Sequence, residues 1–364
     1  MIRSGDVGEH VAPDKITVAQ WIDRWIALLE RQSKEQTEQP AHEKKKRKRG
    51  LVNPRTLERY EELLRCHIKP MLGERPLQQL QASEIDALYV KLETTLSART
   101  VHHVHTVFGA CLKSAVRKAF ISSNPVERAE APSPGEHEGG IVLEEEQLRT
   151  LVKGFEGSVL YPIVAVAAFT GARRTEILGL RWADLDPNNK TLRIERAVEQ
   201  TKKFGLALKE PKRARHKRII TIDDDLIALL TAEREKHLRI QAGISAAAQV
   251  DLSLVKLPED ALMFPNPPEA GESFSFAKLR NPDNTTKEFT RKARKLGFPG
   301  LWLHHVRATH ETLLLDRGVP VHVVAARCGH DPAVLLRIYA KRTRKADTSA
   351  SAAVADLARG ILKN

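Results

Sequence analysis

Residues 301–339 read LWLHHVRATHETLLLDRGVPVHVVAARCGHDPAVLLRIY, and this stretch decides how the rest of the chain is interpreted. His304 and Arg307 are three residues apart, His330 follows a glycine, and Tyr339 comes nine residues later. The residues between them recur at helical spacing, which predicts packed helices. The positions with this spacing are Thr309, Thr312, Leu313, Val321, Val324, Ala325, Val334, Leu335 and Ile338. Packed helices would hold the polar residues in place.

These polar residues have the chemistry of a phosphate site. A guanidinium can bind two non-bridging phosphate oxygens, and imidazoles can donate further hydrogen bonds. A phenol hydroxyl can attack phosphorus without a metal. The stretch therefore indicates a unit that binds a phosphodiester and attacks it. Histidine, arginine and tyrosine are also common as surface or core residues of helices, so the stretch alone leaves that alternative open.

The charge of the chain predicts a polyanionic partner. Its 364 residues include 59 Lys and Arg against 46 Asp and Glu, a net charge of +13, and 41% are hydrophobic, enough for two globular domains. Nucleic acid is the leading partner. A membrane surface would require a basic amphipathic helix or a lipidation signal, and neither is evident. No apolar run long enough to span a membrane is present, so a cytoplasmic protein is expected.

The three cysteines, Cys66, Cys111 and Cys328, are scattered and odd in number. Each lies in an apolar helical context, which favours reduced thiols in the core over disulfides. Cys328 and His330 lack a second ligand pair, so no metal is expected. No cofactor is expected either.

The N-terminal part is predicted to be helical. Residues 1–15 are expected to be disordered, and residues 16–128 to form a small helical domain. Helix starts are indicated by the Thr17 capping box, by the Asn53-Pro54 pair and by Ser83, and a long helix is predicted over residues 98–120. Trp21 and Trp25 lie on the apolar face of the first helix, which favours the core over a base-stacking platform.

A basic insert interrupts this domain at residues 42–50. Its consecutive cations are Lys44, Lys45, Lys46, Arg47, Lys48 and Arg49. Such a run cannot pack and is expected to contact the DNA backbone, with a solvated loop as the alternative. The Pro/Gly-rich residues 129–140 are predicted to be a linker, and a flexible joint between two basic domains suits a clamp that closes around a duplex.

Residues 141–345 are predicted to form the second domain, and residues 161–182 carry its first candidate site. An apolar helix is expected to stop at Gly171, and a new helix to follow Arg173. Backbone amides and the Arg173 guanidinium could then bind one anion. The alternative is that Arg173 only pairs with Glu176.

Two strands are predicted in this domain, over residues 191–198 and 218–222, with a basic hairpin between them. Lys212 could donate a proton there, and Arg213, Arg215 and Lys217 are expected to contact DNA. The acids at 223–225 could suggest a divalent ion, but helix capping explains them better. Residues 346–364 are expected to form a tail helix that docks on its own domain or, slightly favoured, on a neighbouring protomer.

The boxes TGARRTEILGLRW, EPKRARHKR, HHVRATH and CGHDPAVLLRIY have the order and relative spacing of the tyrosine recombinase, or phage integrase, family. The chain resembles this family over nearly its whole length. Residues 16–128 resemble its core-binding domain, and residues 141–345 its catalytic domain. The resemblance implies a mainly α fold with a small antiparallel β-sheet. A separate N-terminal arm-binding domain is not expected.

The resemblance also implies a catalytic set. The matching residues are Arg173, Lys212, His304, Arg307, His330 and Tyr339, with Glu176 in support. By resemblance, Arg173 and Arg307 bind the phosphate, Tyr339 is the nucleophile and Lys212 protonates the leaving 5′ oxygen. Neighbouring Lys209 and Lys217 leave the choice of hairpin lysine open. The family's usual residues are replaced at Ala172, Val306, Ala308 and Cys328, which are positions for packing.

The implied activity is site-specific recombination of double-stranded DNA through a 3′-phosphotyrosine intermediate, for integration or excision of a mobile element. The family's mechanism implies four protomers that exchange strands through a Holliday junction, and accessory DNA-bending or directionality factors are possible partners. A type IB topoisomerase would use the same tyrosine chemistry, and a non-catalytic DNA-binding relative is a further alternative. The tail after Tyr339 and the separate N-terminal domain favour recombination over a topoisomerase. The complete set of catalytic residue types disfavours a non-catalytic relative.

Overall fold

The computed structural model describes residues 16–37, 52–135, 140–210, 216–245, 248–340 and 355. For residues 34–37 and 337–340 the structure describes the backbone but not the side chains. The fold is mainly α-helical with small antiparallel sheets, as the sequence predicted. The chain divides into two compact units, Met1–His137 and Glu138–Asn364. The predicted disordered residues 1–15 and the basic insert at 42–50 lie outside the described residues.

The first unit consists of helices around one apolar core. The helices are α1 (Val18–Thr37), α2 (Pro54–Leu63), α3 (Lys69–Leu72), α4 (Ala82–Glu93) and α5 (Ala98–Arg117), with a π-helical segment at Leu64–Ile68. Trp21 and Trp25 are buried in this core, which confirms their predicted role. The indole N–H of Trp21 donates to the Cys111 carbonyl at 3.1 Å, so the polar tip of the ring is satisfied.

Two local predictions about this unit were wrong. Helix α4 begins one residue before Ser83, and its N-cap is Gln81, which exchanges hydrogen bonds with Glu84 in a capping box. Cys66 is exposed, whereas Cys111 and Cys328 are buried. Leu64 and Ile68 take the buried positions of the π-helical segment, which leaves Cys66 on its outer side.

The second unit has eight α-helices and five strands in its described part. The helices are α6 (Glu145–Gly154), α7 (Tyr161–Thr170), α8 (Arg174–Ile177), α9 (Asp224–Ala242), α10 (Pro282–Lys295), α11 (Leu303–Asp316), α12 (Val321–Cys328) and α13 (Pro332–Ala340). The strands are β1 (Leu185–Asp186), β2 (Thr191–Ile194), β3 (Ala197–Thr201), β4 (Gly205–Lys209) and β5 (Arg218–Thr221). Its core includes nearly all of the apolar helix α7.

The strands form two antiparallel sheets. One has the order β1-β2-β5, and β3 pairs with β4 in the other. The sequence predicted one strand over residues 191–198, but the chain breaks between β2 and β3. Arg196 lies at this break, where it forms an ion pair with the buried carboxylate of Asp184. The predicted cap at the start of α9 is confirmed, since Asp223 accepts a hydrogen bond from the Leu226 amide at 2.9 Å.

The buried side of helix α11 includes polar residues as well as apolar ones. Arg307, His310 and Glu311 are buried beside apolar Leu303 and Val306. Packing therefore holds Arg307 in position, as the sequence predicted, whereas His304 on the same helix is exposed. Four positions in the expected apolar stripe behave differently, since Thr312, Leu313 and Val321 are only half-buried and Val334 is exposed.

Candidate active site

Arg307 lies at the centre of the site and is almost fully buried. Its Nη1 donates to the Gly171 carbonyl at 2.7 Å, and its Nη2 to the Cys328 carbonyl at 2.8 Å. Its Nε is 2.9 Å from Oε1 of Glu311, one helical turn along α11. Burial lowers the pKa of Arg307, and the Glu311 carboxylate opposes this shift. Three fixed contacts therefore determine the orientation of the guanidinium.

Glu311 joins Arg307 to His330. The Nε2 atom of His330 is 3.0 Å from the same Oε1 that faces Arg307. Within the described part of the chain, Arg307 Nε and Glu311 Oε1 have no partner with hydrogen-bond geometry, so both contacts are close without a directed hydrogen bond. Burial alone would raise the pKa of the Glu311 carboxyl, but His330 and Arg307 outweigh it and lower the pKa. Glu311 therefore remains an anion.

His304 lies one turn before Arg307 on the same helix and is exposed to solvent. Partial desolvation, followed by the charge of Arg307, lowers the pKa of its imidazole. Neutral imidazole is thus the favoured form, and it can accept a proton or donate a hydrogen bond. His304 and Arg307 lie one turn apart on the same helix, but His304 is exposed whereas Arg307 is buried.

Arg173 is the N-cap of α8 and makes three contacts. Its Nη1 donates to Glu176 Oε1 at 2.8 Å, and its backbone N–H donates to Glu176 Oε2 at 2.8 Å. Its Nη2 donates to the Gly329 carbonyl at 2.8 Å. Arg173 therefore does pair with Glu176, which the sequence offered as the alternative to binding an anion. The Arg173 side chain still has 30% of its surface exposed, so part of the guanidinium remains accessible to a phosphate.

Glu176 is bound on two sides by arginines. Arg218 Nη2 donates to Oε2 at 2.9 Å, and Arg218 Nη1 to Oε1 at 3.2 Å. Burial would raise the pKa of the Glu176 carboxyl, but hydrogen bonds and charge from Arg218, with the charge of Arg173, lower it to about 2. Glu176 is a permanent anion at neutral pH.

A groove of about 680 Å³ opens beside this cluster. Arg173 and His304 face it, together with Arg174, Lys287 and the exposed Trp302. The groove carries three cationic side chains and one indole ring, which suits a nucleotide backbone with its attached bases.

Several predicted residues cannot be placed in this site. Lys212, Arg213 and Arg215 lie outside the described residues, as do the cations Lys44, Lys45, Lys46, Arg47, Lys48 and Arg49. Lys217 is described and forms an ion pair with Glu210 at 2.9 Å. The backbone of Tyr339 lies in the last turn of α13, but its side chain is outside the description. The tail at 346–364 is outside it as well, except for Ala355.

Sequence reasoning missed two residues of the cluster. Glu311 is four residues after Arg307 and seven after His304, so all three share one face of α11, and this spacing could have identified it. Arg218 had no such signal, because it reaches Glu176 from a strand 42 residues along the chain.

The described residues contain no group of three His, Cys, Asp or Glu arranged to hold a metal ion. Among them, no helix is both long and apolar enough to cross a membrane.

Two family descriptions match this chain. Residues 142–345 match the phage integrase family, and residues 35–131 match the phage integrase central domain. The first match covers more than half of the chain and contains every residue of the cluster described above.

Similar proteins carry consistent names. A protein named "Tyrosine recombinase XerC-like" from Caldanaerobacter subterraneus subsp. tengcongensis is 25% identical over 322 residues, which are 84% of this chain and 78% of that protein. An "Integrase" from Streptomyces ambofaciens is 24% identical over 356 residues, or 94% of this chain and 81% of that protein.

Solved structures share the fold at low sequence identity. The Tn1549 transposon integrase in complex with transposon right end DNA has a TM-score of 0.68 at 18% identity, covering 93% of this chain and 100% of that one. A lambda integrase tetramer bound to a Holliday junction has a TM-score of 0.59 at 15% identity, covering 89% and 78%.

The family matches and the fold agree on one class of protein, an enzyme that acts on DNA. The chain belongs to the phage integrase family, the tyrosine-type site-specific recombinases that cleave and rejoin DNA strands.

Proposed function

We propose that Arg173, His304, Arg307 and His330 bind the scissile phosphate of a recombination site in double-stranded DNA, and that Tyr339 attacks it. The observation that carries this proposal is the anchoring of two guanidiniums around one turn, at the carbonyls of Cys328 and Gly329. Arginines fixed before the substrate arrives can stabilise developing negative charge without reorganising. The same turn leads directly to His330.

The proposed reaction transfers a phosphoryl group between two oxygens. The Tyr339 Oη atom forms a bond to phosphorus while the bond from phosphorus to the 5′ oxygen breaks. The phenol proton leaves to a base, for which neutral His304 is a candidate, and Lys212 supplies a proton to the leaving 5′ oxygen. The product is a 3′-phosphotyrosine and a free 5′ hydroxyl. A 5′ hydroxyl of a second strand reverses these steps and rejoins the DNA.

This reaction fits a mobile element that integrates or is excised. Recombination between two duplexes requires four cleavages, so we propose a homotetramer on DNA with a Holliday junction intermediate. The lambda integrase structure named above is such an assembly. Accessory DNA-bending or directionality factors, and a cytoplasmic location at the nucleoid, belong to the same proposal. The net charge of +13 supports binding to DNA.

A covalent trapping assay tests the proposed chemistry. The wild type and Tyr339→Phe would be incubated with nicked duplexes from the DNA that flanks the gene, in which cleavage releases a short fragment and prevents rejoining. An adduct on a denaturing gel with the wild type alone would support Tyr339 as nucleophile. An adduct of equal yield with Tyr339→Phe would refute it. Tryptic mapping of the adduct would identify the attached residue.

A further inference from the structure

Three arginines bind the C-terminal end of helix α12. The successive carbonyls of residues 327–329 accept hydrogen bonds from Arg218 Nε at 2.6 Å, Arg307 Nη2 at 2.8 Å and Arg173 Nη2 at 2.8 Å. The last carbonyls of a helix have no partner within the helix and carry the negative end of its dipole. Guanidiniums are therefore well suited to this position, and one helix end holds all three.

Arg218 differs from the other two arginines in accessibility. Its side chain is only 7% exposed, whereas that of Arg173 is 30% exposed. Arg218 begins strand β5 and is not among the residues that line the groove, whereas Arg173 is. Arg218 therefore touches the groove only through Arg173 and Glu176.

The contacts of Arg218 link it to Arg173 by two routes. Through Nη1 and Nη2 it holds both oxygens of Glu176, and that carboxylate in turn binds the Arg173 guanidinium and backbone N–H. Its Nε donates to the carbonyl of residue 327, which comes directly before the two carbonyls that Arg307 and Arg173 bind. Both routes end on the atoms that orient Arg173.

We propose that Arg218 is a positioning residue for DNA cleavage, which fixes the Arg173 guanidinium toward the scissile phosphate through Glu176 and the end of helix α12. This inference rests on the proposed role of Arg173. Removing Arg218 leaves Glu176 free to rotate away from Arg173, so cleavage decreases while the DNA-facing surface is unchanged. The expected decrease is on the order of tenfold to a thousandfold, the scale for one stabilising group at a transition state.

The experiment compares Arg218→Gln and Arg218→Lys with Arg173→Gln and with the double variant Arg173→Gln/Arg218→Gln. Trapped cleavage under single-turnover conditions and DNA affinity are measured for each. Arg280→Gln is the matched control, because the Arg280 side chain is 6% exposed and pairs with Glu288 at 3.0 Å, away from the cluster. It controls for the loss of a buried arginine in the same unit.

A modified substrate separates positioning from general damage. A methylphosphonate at the scissile position replaces one non-bridging oxygen by a methyl group, which removes the phosphate charge and reduces the need for a guanidinium. If Arg218 acts through Arg173, this substrate restores Arg218→Gln and Arg173→Gln to a similar extent relative to wild type. A 5′-bridging phosphorothiolate is the companion substrate, since its thiolate leaves without a proton. It tests whether Arg218 instead acts through the segment that carries Lys212.

The supporting result is a cleavage defect with DNA affinity within about twofold of wild type, no additivity in the double variant, and recovery on the methylphosphonate. Arg218→Lys would retain part of the activity, and Arg280→Gln nearly all of it. Wild-type cleavage by Arg218→Gln, additive defects, or recovery only on the phosphorothiolate would overturn the inference. Normal cleavage by Arg173→Gln would instead refute the proposed role of Arg173 itself. The experiment therefore distinguishes a failure of that proposal from a failure of the inference about Arg218.

Discussion

The carbonyl of Gly329 accepts a hydrogen bond from Nη2 of Arg173 at 2.8 Å, although 156 residues separate them. Gly329 ends helix α12 with φ of +66°, a left-handed conformation that side chains disfavour. An added Cβ would also meet Arg218 Nη1 at 3.0 Å and Arg173 Nη1 at 3.4 Å. The glycine is therefore needed for backbone conformation and for the close approach of two guanidiniums.

Gly329→Ala is expected to impair cleavage more than stability. A left-handed conformation costs alanine about 1–2 kcal/mol, which the fold can tolerate. The displacement of Arg218, the guanidinium nearest to the added Cβ, would loosen Arg173 and lower single-turnover cleavage about tenfold or more. Both quantities can be measured on one preparation, by denaturant unfolding and by covalent trapping.

Gly243→Ala is the matched control for this variant. Gly243 ends α9 with the same φ of +66°, and an added Cβ would meet nothing within 4 Å. It is expected to lose similar stability and to cleave normally. If both glycine variants lose cleavage equally, backbone strain explains the effect and the contact with Arg173 does not.

Glu311→Gln is expected to lose activity and stability together. The substitution keeps the shape of the side chain but removes the only negative charge within 4 Å of Arg307 in the described part of the chain. Breaking a buried ion pair typically costs about 3–5 kcal/mol. Cleavage is expected to fall by on the order of 100-fold, because Arg307 and His330 both lose a fixed partner. Thermal unfolding and trapping of the folded fraction measure the two effects.

Asp184→Asn is the control that separates the loss of cleavage from the loss of stability. Asp184 is as deeply buried as Glu311 and also pairs with an arginine, Arg196, but it lies at the start of the sheet. A similar loss of stability with normal cleavage per folded molecule is expected for it. Normal cleavage by Glu311→Gln would show that Glu311 has no part in positioning Arg307.

The sequence predicted those parts of the site that depend on local spacing. His304 and Arg307 share a face of α11 because they are three residues apart, and Arg173 follows the glycine that ends α7. The resemblance to a known family then indicated that these separate motifs belong to one site. No local pattern could indicate that backbone carbonyls of residues 327–329 would bind three arginines, because such contacts depend on how distant elements pack.

The errors of sequence reasoning have the same origin. Ser83 is a good capping residue, but the N-cap of α4 is Gln81, whose backbone N–H donates to the Glu84 side chain. The alternating pattern predicts one strand over residues 191–198. The observed strand breaks near Arg196, which forms an ion pair with Asp184. Propensity indicated the type of each element, and tertiary contacts decided its ends.

His310 is expected to make stability dependent on pH. Burial, with the charge of Arg327, lowers the pKa of this imidazole from 6.5 to about 4. The unfolded chain therefore binds a proton between these values while the folded chain does not, so stability falls as pH decreases from 6.5 toward 4. The shift corresponds to about 3 kcal/mol. Urea unfolding at several pH values would measure it.

His310→Gln should reduce this pH dependence, since no titratable group remains at this position. Exposed His322→Gln is the control and should keep the wild-type slope. Glu176 contributes in a lower range, because its folded pKa of about 2 lies below the ordinary 4.5, so its contribution is lost only as pH falls through that interval. An unchanged slope in His310→Gln would assign the dependence to other groups.

The exposed face of α10 is expected to bind the DNA backbone. Lys287, Arg291, Arg294 and Lys295 line one groove with the exposed Trp302, beside the groove that contains His304. Each cation that neutralises a phosphate releases counterions, so Lys287→Ala and Arg291→Ala should each weaken binding and reduce the slope of log K against log salt by about 1. Lys236→Ala on α9 is the control, because Lys236 is equally basic and exposed but pairs with Glu233 on a helix outside both grooves. Equal slopes for all three variants would exclude this face as a DNA contact, and a loss confined to the two α10 variants would place the duplex across the groove that leads to His304.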